Sequence, residues 1–62
     1  MAATFEVYAD NKSEWRWRLR HTNGNVIADS GEGYTTEENC MNGIESVRTN
    51  SPTAPVKKLV PQ

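Results

Sequence analysis

The side chains able to bind something are concentrated in one stretch, Trp15-Arg16-Trp17-Arg18-Leu19-Arg20. Aromatic rings on a sheet can stack nucleobases and arginines can contact phosphates, so the chemistry this stretch could do is single-stranded nucleic-acid binding through Arg16, Arg18 and Arg20. Strict alternation weighs against a simple version of that reading. On a strand the tryptophans take one face and the arginines the other, which gives an apolar core face and a solvated, ion-paired face. Cys40 lies in an apolar helical stripe with Glu37 and Glu38 nearby; that is the wrong charge to activate a thiol, and it reads as a small buried hydrophobe. His21 stands beside a turn with no evident carboxylate to orient it. Ser30-Gly31-Glu32-Gly33-Tyr34-Thr35 leads into a helix start, where anions can bind, but it lacks the lysine of a phosphate loop and the glycine spacing of a dinucleotide fingerprint. Glu32, Glu37 and Glu38 would also repel phosphate. No nucleophile–base pair assembles within one chain. The remaining catalytic arrangement would bring Tyr34 and His21 together from different subunits.

Composition narrows the rest. The chain has 62 residues, 35% of them apolar, one cysteine and one histidine. A single cysteine forms no intramolecular disulfide, and one cysteine with one histidine does not fill a structural zinc site. Neither cofactor nor metal is expected. Seven basic and eight acidic side chains leave a net charge of −1, unlike a dedicated duplex-DNA binder. No apolar run approaches a membrane span. Met1 to Phe5 has neither the basic flank nor the apolar stretch of a signal peptide, so a cytoplasmic chain is the expectation and Asn11-Lys12-Ser13 is a chance glycosylation pattern. Apolar burial on the order of 90 kcal/mol stands against an ordering cost on the order of 90 kcal/mol. With both usual staples missing, a partner subunit is the favoured answer.

The elements that must position these residues follow from pattern. Strands are predicted over about 4–8, 14–20 and 25–29, a helix over about 36–50 and a last strand over about 56–60. The first hairpin, closed by a five-residue loop, sets Val7 opposite Trp15, Phe5 opposite Trp17 and Glu6 opposite Arg16. The second, with Asn23-Gly24 as a type I′ turn, sets Leu19 opposite Ala28, His21 opposite Val26, Arg18 opposite Asp29 and Arg20 opposite Ile27. Both registers collect the apolar side chains on one face and opposite charges on the other. Thr35 and Glu38 match a capping box. Cys40, Ile44 and Val47 make a narrow apolar stripe, Gly43 allows close approach to the sheet, and Glu45 can pair with Arg48. The predicted core is Phe5, Val7, Trp15, Trp17, Leu19, Val26, Cys40, Ile44 and Val47. Val56, Leu59 and Val60 are poorly justified on a strand without a neighbour, and Lys57-Lys58 would protect or solvate an edge.

Phe5-Glu6-Val7-Tyr8, Glu14-Trp15-Arg16-Trp17-Arg18-Leu19, Asn23-Gly24-Asn25-Val26-Ile27-Ala28, Gly33-Tyr34-Thr35 and Asn42-Gly43-Ile44-Glu45-Ser46-Val47 resemble the YegP-like family of small prokaryotic proteins without an established function. The resemblance covers about residues 4 to 51. It implies a β-β-β-α-β unit, used either as a tandem repeat or as a homodimer exchanging C-terminal strands; a chain with a single unit implies the homodimer. It brings no catalytic residues. The chain departs from the family at Ser30-Gly31-Glu32-Gly33, one residue longer than usual, at Cys40 and Met41 in place of small residues, and at Glu37 or Glu38 in place of a lysine.

The sequence therefore predicts a single α+β domain over 1–62. It would be an antiparallel meander with one helix on one face, acting as a homodimeric, non-enzymatic structural or interaction module. The expected dimer interface is Val56, Lys58, Leu59 and Val60. Its partners would be a second copy and another protein, with no membrane. Single-stranded nucleic acid bound through Arg16, Arg18 and Arg20 is the alternative.

Overall fold

The structure, a computed structural model, describes residues 2–60. Alternating side chains form three strands, β1 (Ala3–Ala9), β2 (Trp15–His21) and β3 (Val26–Asp29), in one antiparallel sheet of order β1-β2-β3. One helix, α1 (Glu37–Asn50), follows, and a single 3₁₀ turn (Ser51–Thr53) leaves it at Pro52. This is the α+β meander with one helix.

The two hairpins close in the same way. Asp10 N–H donates to Glu14 O and Ser13 N–H to Asp10 O; His21 N–H donates to Asn25 O and Gly24 N–H to His21 O. Each is a three-residue loop ending in a left-handed residue, Ser13 at φ 64° and Gly24 at φ 95°. Two expectations are corrected here. The first loop is shorter than five residues because Asp10 Oδ1 accepts from the N–H groups of Lys12 (2.8 Å) and Glu14 (3.0 Å) and folds the turn locally. Val7 therefore faces Trp17, Phe5 faces Leu19 and Glu6 faces Arg18, two residues along from the predicted register but with the same faces. In the second hairpin only Gly24, not Asn23, has positive φ, so the turn is not type I′.

That turn has a cost downstream. Leu19↔Ala28 and Arg18↔Asp29 pair as predicted, but a bulge follows and Arg20 faces Val26. The extra residue carries Val26 off the core face. Val26 is 48% exposed and Ile27 56% exposed, so Val26 leaves the predicted core.

Beyond β3, Ser30 N–H still bonds Trp17 O (2.9 Å), and Tyr34 exchanges both backbone bonds with Trp15 (2.8 Å each). The loop between them, with Gly31 at φ 74°, is a widened excursion along the same edge, as its extra residue suggested. Helix α1 is then capped by Thr36, one residue later than the predicted Thr35. Thr36 has extended backbone and its hydroxyl accepts from Asn39 N–H at 3.1 Å, two residues after Tyr34, which is still bonded to Trp15. Glu37 and Glu38 lie in the first turn and suit the helix dipole.

The core sits where α1 crosses β2. Trp17, Cys40 and Ile44 are buried, with Phe5, Val7, Trp15, Tyr34 and Val47 packed against them. Phe5 meets Trp17 edge to face, with centroids 5.6 Å apart. Gly43 brings the helix down: a Cβ there would lie 2.5 Å from the Tyr34 hydroxyl and 3.5 Å from Trp17 Nε1. The predicted fourth strand does not form within the chain; residues 54–60 have no regular structure.

Candidate functional site

The arginine face is fully partnered. Arg16 Nε donates to Asp10 Oδ2 at 2.6 Å, and Arg18 Nε and Arg20 Nε converge on Glu6 Oε1 at 2.6 and 3.1 Å. Arg20 also donates to Gly24 O at 2.9 Å, and the Arg18 guanidinium lies 4.7 Å from the centre of the Tyr8 ring. The Arg16 hydrogen bond, aided by the turn's N–H groups, lowers the Asp10 carboxyl to about 2. Arg18 first and Arg20 second hold Glu6 below the usual carboxylate range. These partners differ from those predicted. Asp29 faces Arg18 in register, yet its carboxylate turns back to accept from Gly31 N–H (3.0 Å), and Arg16 takes Asp10 because the corrected register moves Glu6 on by two. Trp15 and Trp17 occupy the opposite face, under the helix. Stackable aromatics and cations are therefore not brought together, except for Tyr8 beside Arg18.

The other predicted residues are dispersed. Cys40 is wholly buried, and burial first, then Glu37, pushes its thiol up, the reverse of an activated nucleophile. His21 Nδ1 accepts from Asn23 N–H at 3.1 Å, which gives the ring a local role in the turn. Tyr34 packs into the core over Gly43. Trp17 Nε1 is buried without an acceptor beside that hydroxyl, a feature sequence reasoning did not foresee, since indole orientation depends on packing. Among the described residues no group of three metal-ligating side chains comes together, and no helix is long and apolar enough to cross a membrane.

What remains is the segment after the helix. Val56 is 98% exposed, Leu59 68% and Val60 60%, while Lys57 and Lys58 have no acidic partner among the described residues. The chain exposes 5070 Å², against roughly 4,000 Å² for a compact monomer of this mass. Its radius of gyration is 13.3 Å, where a compact chain of this length has roughly 10.6 Å. Residues 54–60 thus form an apolar and basic segment without regular structure, most exposed at Val56, Leu59 and Val60.

Residues 10–57 match DUF1508, a domain of unknown function. A UPF0339 protein of Treponema denticola is 50% identical over 59 residues, 95% of this chain and 100% of its own. One from Neisseria meningitidis serogroup B is 42% identical over 55 residues, 89% and 96% of the two chains. A UPF0339 protein encoded in the 5′ region of a ptx operon of Stutzerimonas stutzeri is 48% identical over 52 residues, and there this chain spans only 46% of the relative's length. The NMR solution structure of a protein from Haloferax volcanii is similar at TM-score 0.87 and 51% identity, covering 92% of this chain and 95% of that one. The chain belongs to the DUF1508 family of uncharacterised small proteins, in agreement with the resemblance its motifs carry.

Proposed function

For this DUF1508 member we propose a non-enzymatic structural or interaction role as a homodimer, in which each C-terminal segment around Val56, Lys58, Leu59 and Val60 serves as a strand in its partner's sheet. The observation that carries the reading is the exposed arm itself, 60–98% accessible at its three apolar positions. Such a segment loses free energy in water unless something covers it. The surface in excess of a compact monomer, about 1,000 Å² per chain, would make about 2,000 Å² when two chains share it, the size of a stable homodimer interface. The Stutzerimonas stutzeri relative, about twice as long, is consistent with two units in one chain. A further protein would then dock on the assembled dimer, and the compartment expected is the cytoplasm.

Native mass spectrometry at low micromolar protein tests this. The expected species is twice the 7.0 kDa chain, reduced to monomer by Leu59→Asp, a position 68% exposed within its own chain. A cooperatively folded wild-type monomer would overturn the proposal. The alternative, weak single-stranded nucleic-acid binding through Arg16, Arg18 and Arg20, draws on their alignment along one face; their engagement with Glu6 and Asp10 favours the structural reading. Oligonucleotide adducts that fall with salt and vanish in the triple Arg→Ala variant would reverse that preference.

A further inference from the structure

The chain holds two Asn-Gly pairs, Asn23-Gly24 and Asn42-Gly43, and the fold treats them differently. Such a pair is open to imide formation, because a glycine nitrogen has no neighbouring side chain to shield it. Asn11, Asn25, Asn39 and Asn50 all precede residues that carry one. We propose that Asn23 is a self-modification site, converted in the native protein through a succinimide to aspartyl and isoaspartyl products, while Asn42 stays intact.

The reaction needs the side-chain carbonyl near the next nitrogen, a nitrogen able to lose its proton, and support for the oxyanion. Asn23 folds its side chain forward over the Gly24 peptide, with Oδ1 accepting from Asn25 N–H at 2.9 Å. That N–H polarises Cγ and stabilises the charge that develops on Oδ1 under attack. Arg20 strengthens it: its Nη1 donates to Gly24 O at 2.9 Å, the carbonyl of the peptide whose N–H is that of Asn25. Gly24 N–H is held by a single bond, to His21 O at 2.9 Å, in a loop exposed from Thr22 to Asn25. A solvent-facing turn bond of this kind opens locally, and nothing lies within 4 Å of the open side of Gly24.

Gly24 N then gives its proton to solvent base and bonds to Cγ. The Cγ–Nδ2 bond breaks, and the amide takes a proton from water and leaves as ammonia. Water opens the imide at either carbonyl, so the balance is water in and ammonia out, with no redox change. Asn42 lacks these conditions. Helical dihedrals on both sides keep its Cγ away from Gly43 N, whose N–H belongs to the i→i−4 ladder of α1, and Gly43 itself is pressed against Tyr34. The isoaspartyl product adds one backbone atom to the turn that closes β2 onto β3. The bonds made there by Gly24, Asn25 and Arg20 depend on that spacing, so modification loosens β3 and leaves the core of Trp17, Cys40 and Ile44 in place.

The test incubates the wild-type chain at mildly alkaline pH, natively and in urea, followed by peptide mapping with electron-transfer fragmentation to separate aspartyl from isoaspartyl products. In the native protein position 23 should react about 100-fold faster than position 42, the cost of misplacing reacting atoms by about 1 Å. In urea the two should react at similar rates. Equal native rates at the two positions would overturn the proposal. So would a native Asn23 that stays intact while the urea-unfolded chain reacts, since the bond to His21 O would then protect the site.

Discussion

Gly43 is the point at which helix propensity and packing disagree in sign. Replacing a glycine inside a helix by alanine ordinarily stabilises by about 1 kcal/mol. Here the added Cβ would lie 2.5 Å from the Tyr34 hydroxyl and 3.0 Å from its Cζ. The ring has little freedom to retreat, because both backbone groups of Tyr34 are bonded to Trp15 at 2.8 Å. Overpacking of this kind costs about 1–3 kcal/mol, so Gly43→Ala should destabilise by about 1 kcal/mol net. A domain of this size would then melt about 4–8 °C lower. The assay is thermal and urea unfolding followed by tryptophan fluorescence, at one protein concentration for all variants, since association contributes to the midpoint. Tyr34→Phe removes the nearer atom, so the same Gly43→Ala change in that background should be close to neutral. A gain of about 1 kcal/mol from Gly43→Ala alone would refute the close approach of α1 to the sheet.

Four further outcomes follow from the same geometry. The folded Asp10 carboxyl titrates at about 2 against an ordinary 3.8, so the unfolded state binds the proton more tightly; its contribution is complete above about pH 4 and lost as pH falls toward 2. Asp10→Asn should flatten the acid limb of a stability–pH profile in that window, and an unchanged limb would remove the Arg16–Asp10 pair as its cause. Thr36→Ala should cost about 1 kcal/mol in urea unfolding while Thr35→Ala costs little; equal effects would contradict the observed cap. Ser13→Gly relieves left-handed strain of about 1–2 kcal/mol against about 0.5–1 kcal/mol of added chain entropy, so unfolding midpoints should rise slightly. Cys40 should react with a thiol reagent only as fast as the protein opens, and rapid labelling of the native state at neutral pH would refute its burial.

The identity of the first three strands, the faces of β1 and β2 and the helix stripe were legible in the residues. The alternation in Trp15 to Arg20 has period two, and Cys40, Ile44 and Val47 recur at helical spacing, so each follows from local backbone geometry alone. Face survives an even register error, which is why a shift of two left Phe5, Val7, Trp15 and Trp17 where they were expected. Ion-pair partners do not survive it, and Glu6 moved from Arg16 to Arg18. The choice between Thr35 and Thr36 as cap was not readable either, since both are threonines with the same capping chemistry. The apolar and basic tail stood out by composition, while its lack of regular structure within the chain did not.

Composition and periodicity alone determined the three-stranded meander and the helix that follows it. Local propensities and the sign of each side chain suffice for that. Tertiary structure alone decided which loop closes each hairpin, and hence the bulge that sends Val26 to the surface, the sharing of Glu6 between two arginines, and the edge left open beside Asp29. A hairpin's closure is settled by hydrogen bonds between residues four apart and by one left-handed dihedral. Those energies differ by a fraction of what either strand contributes, and become decisive only when the whole sheet must agree on one register.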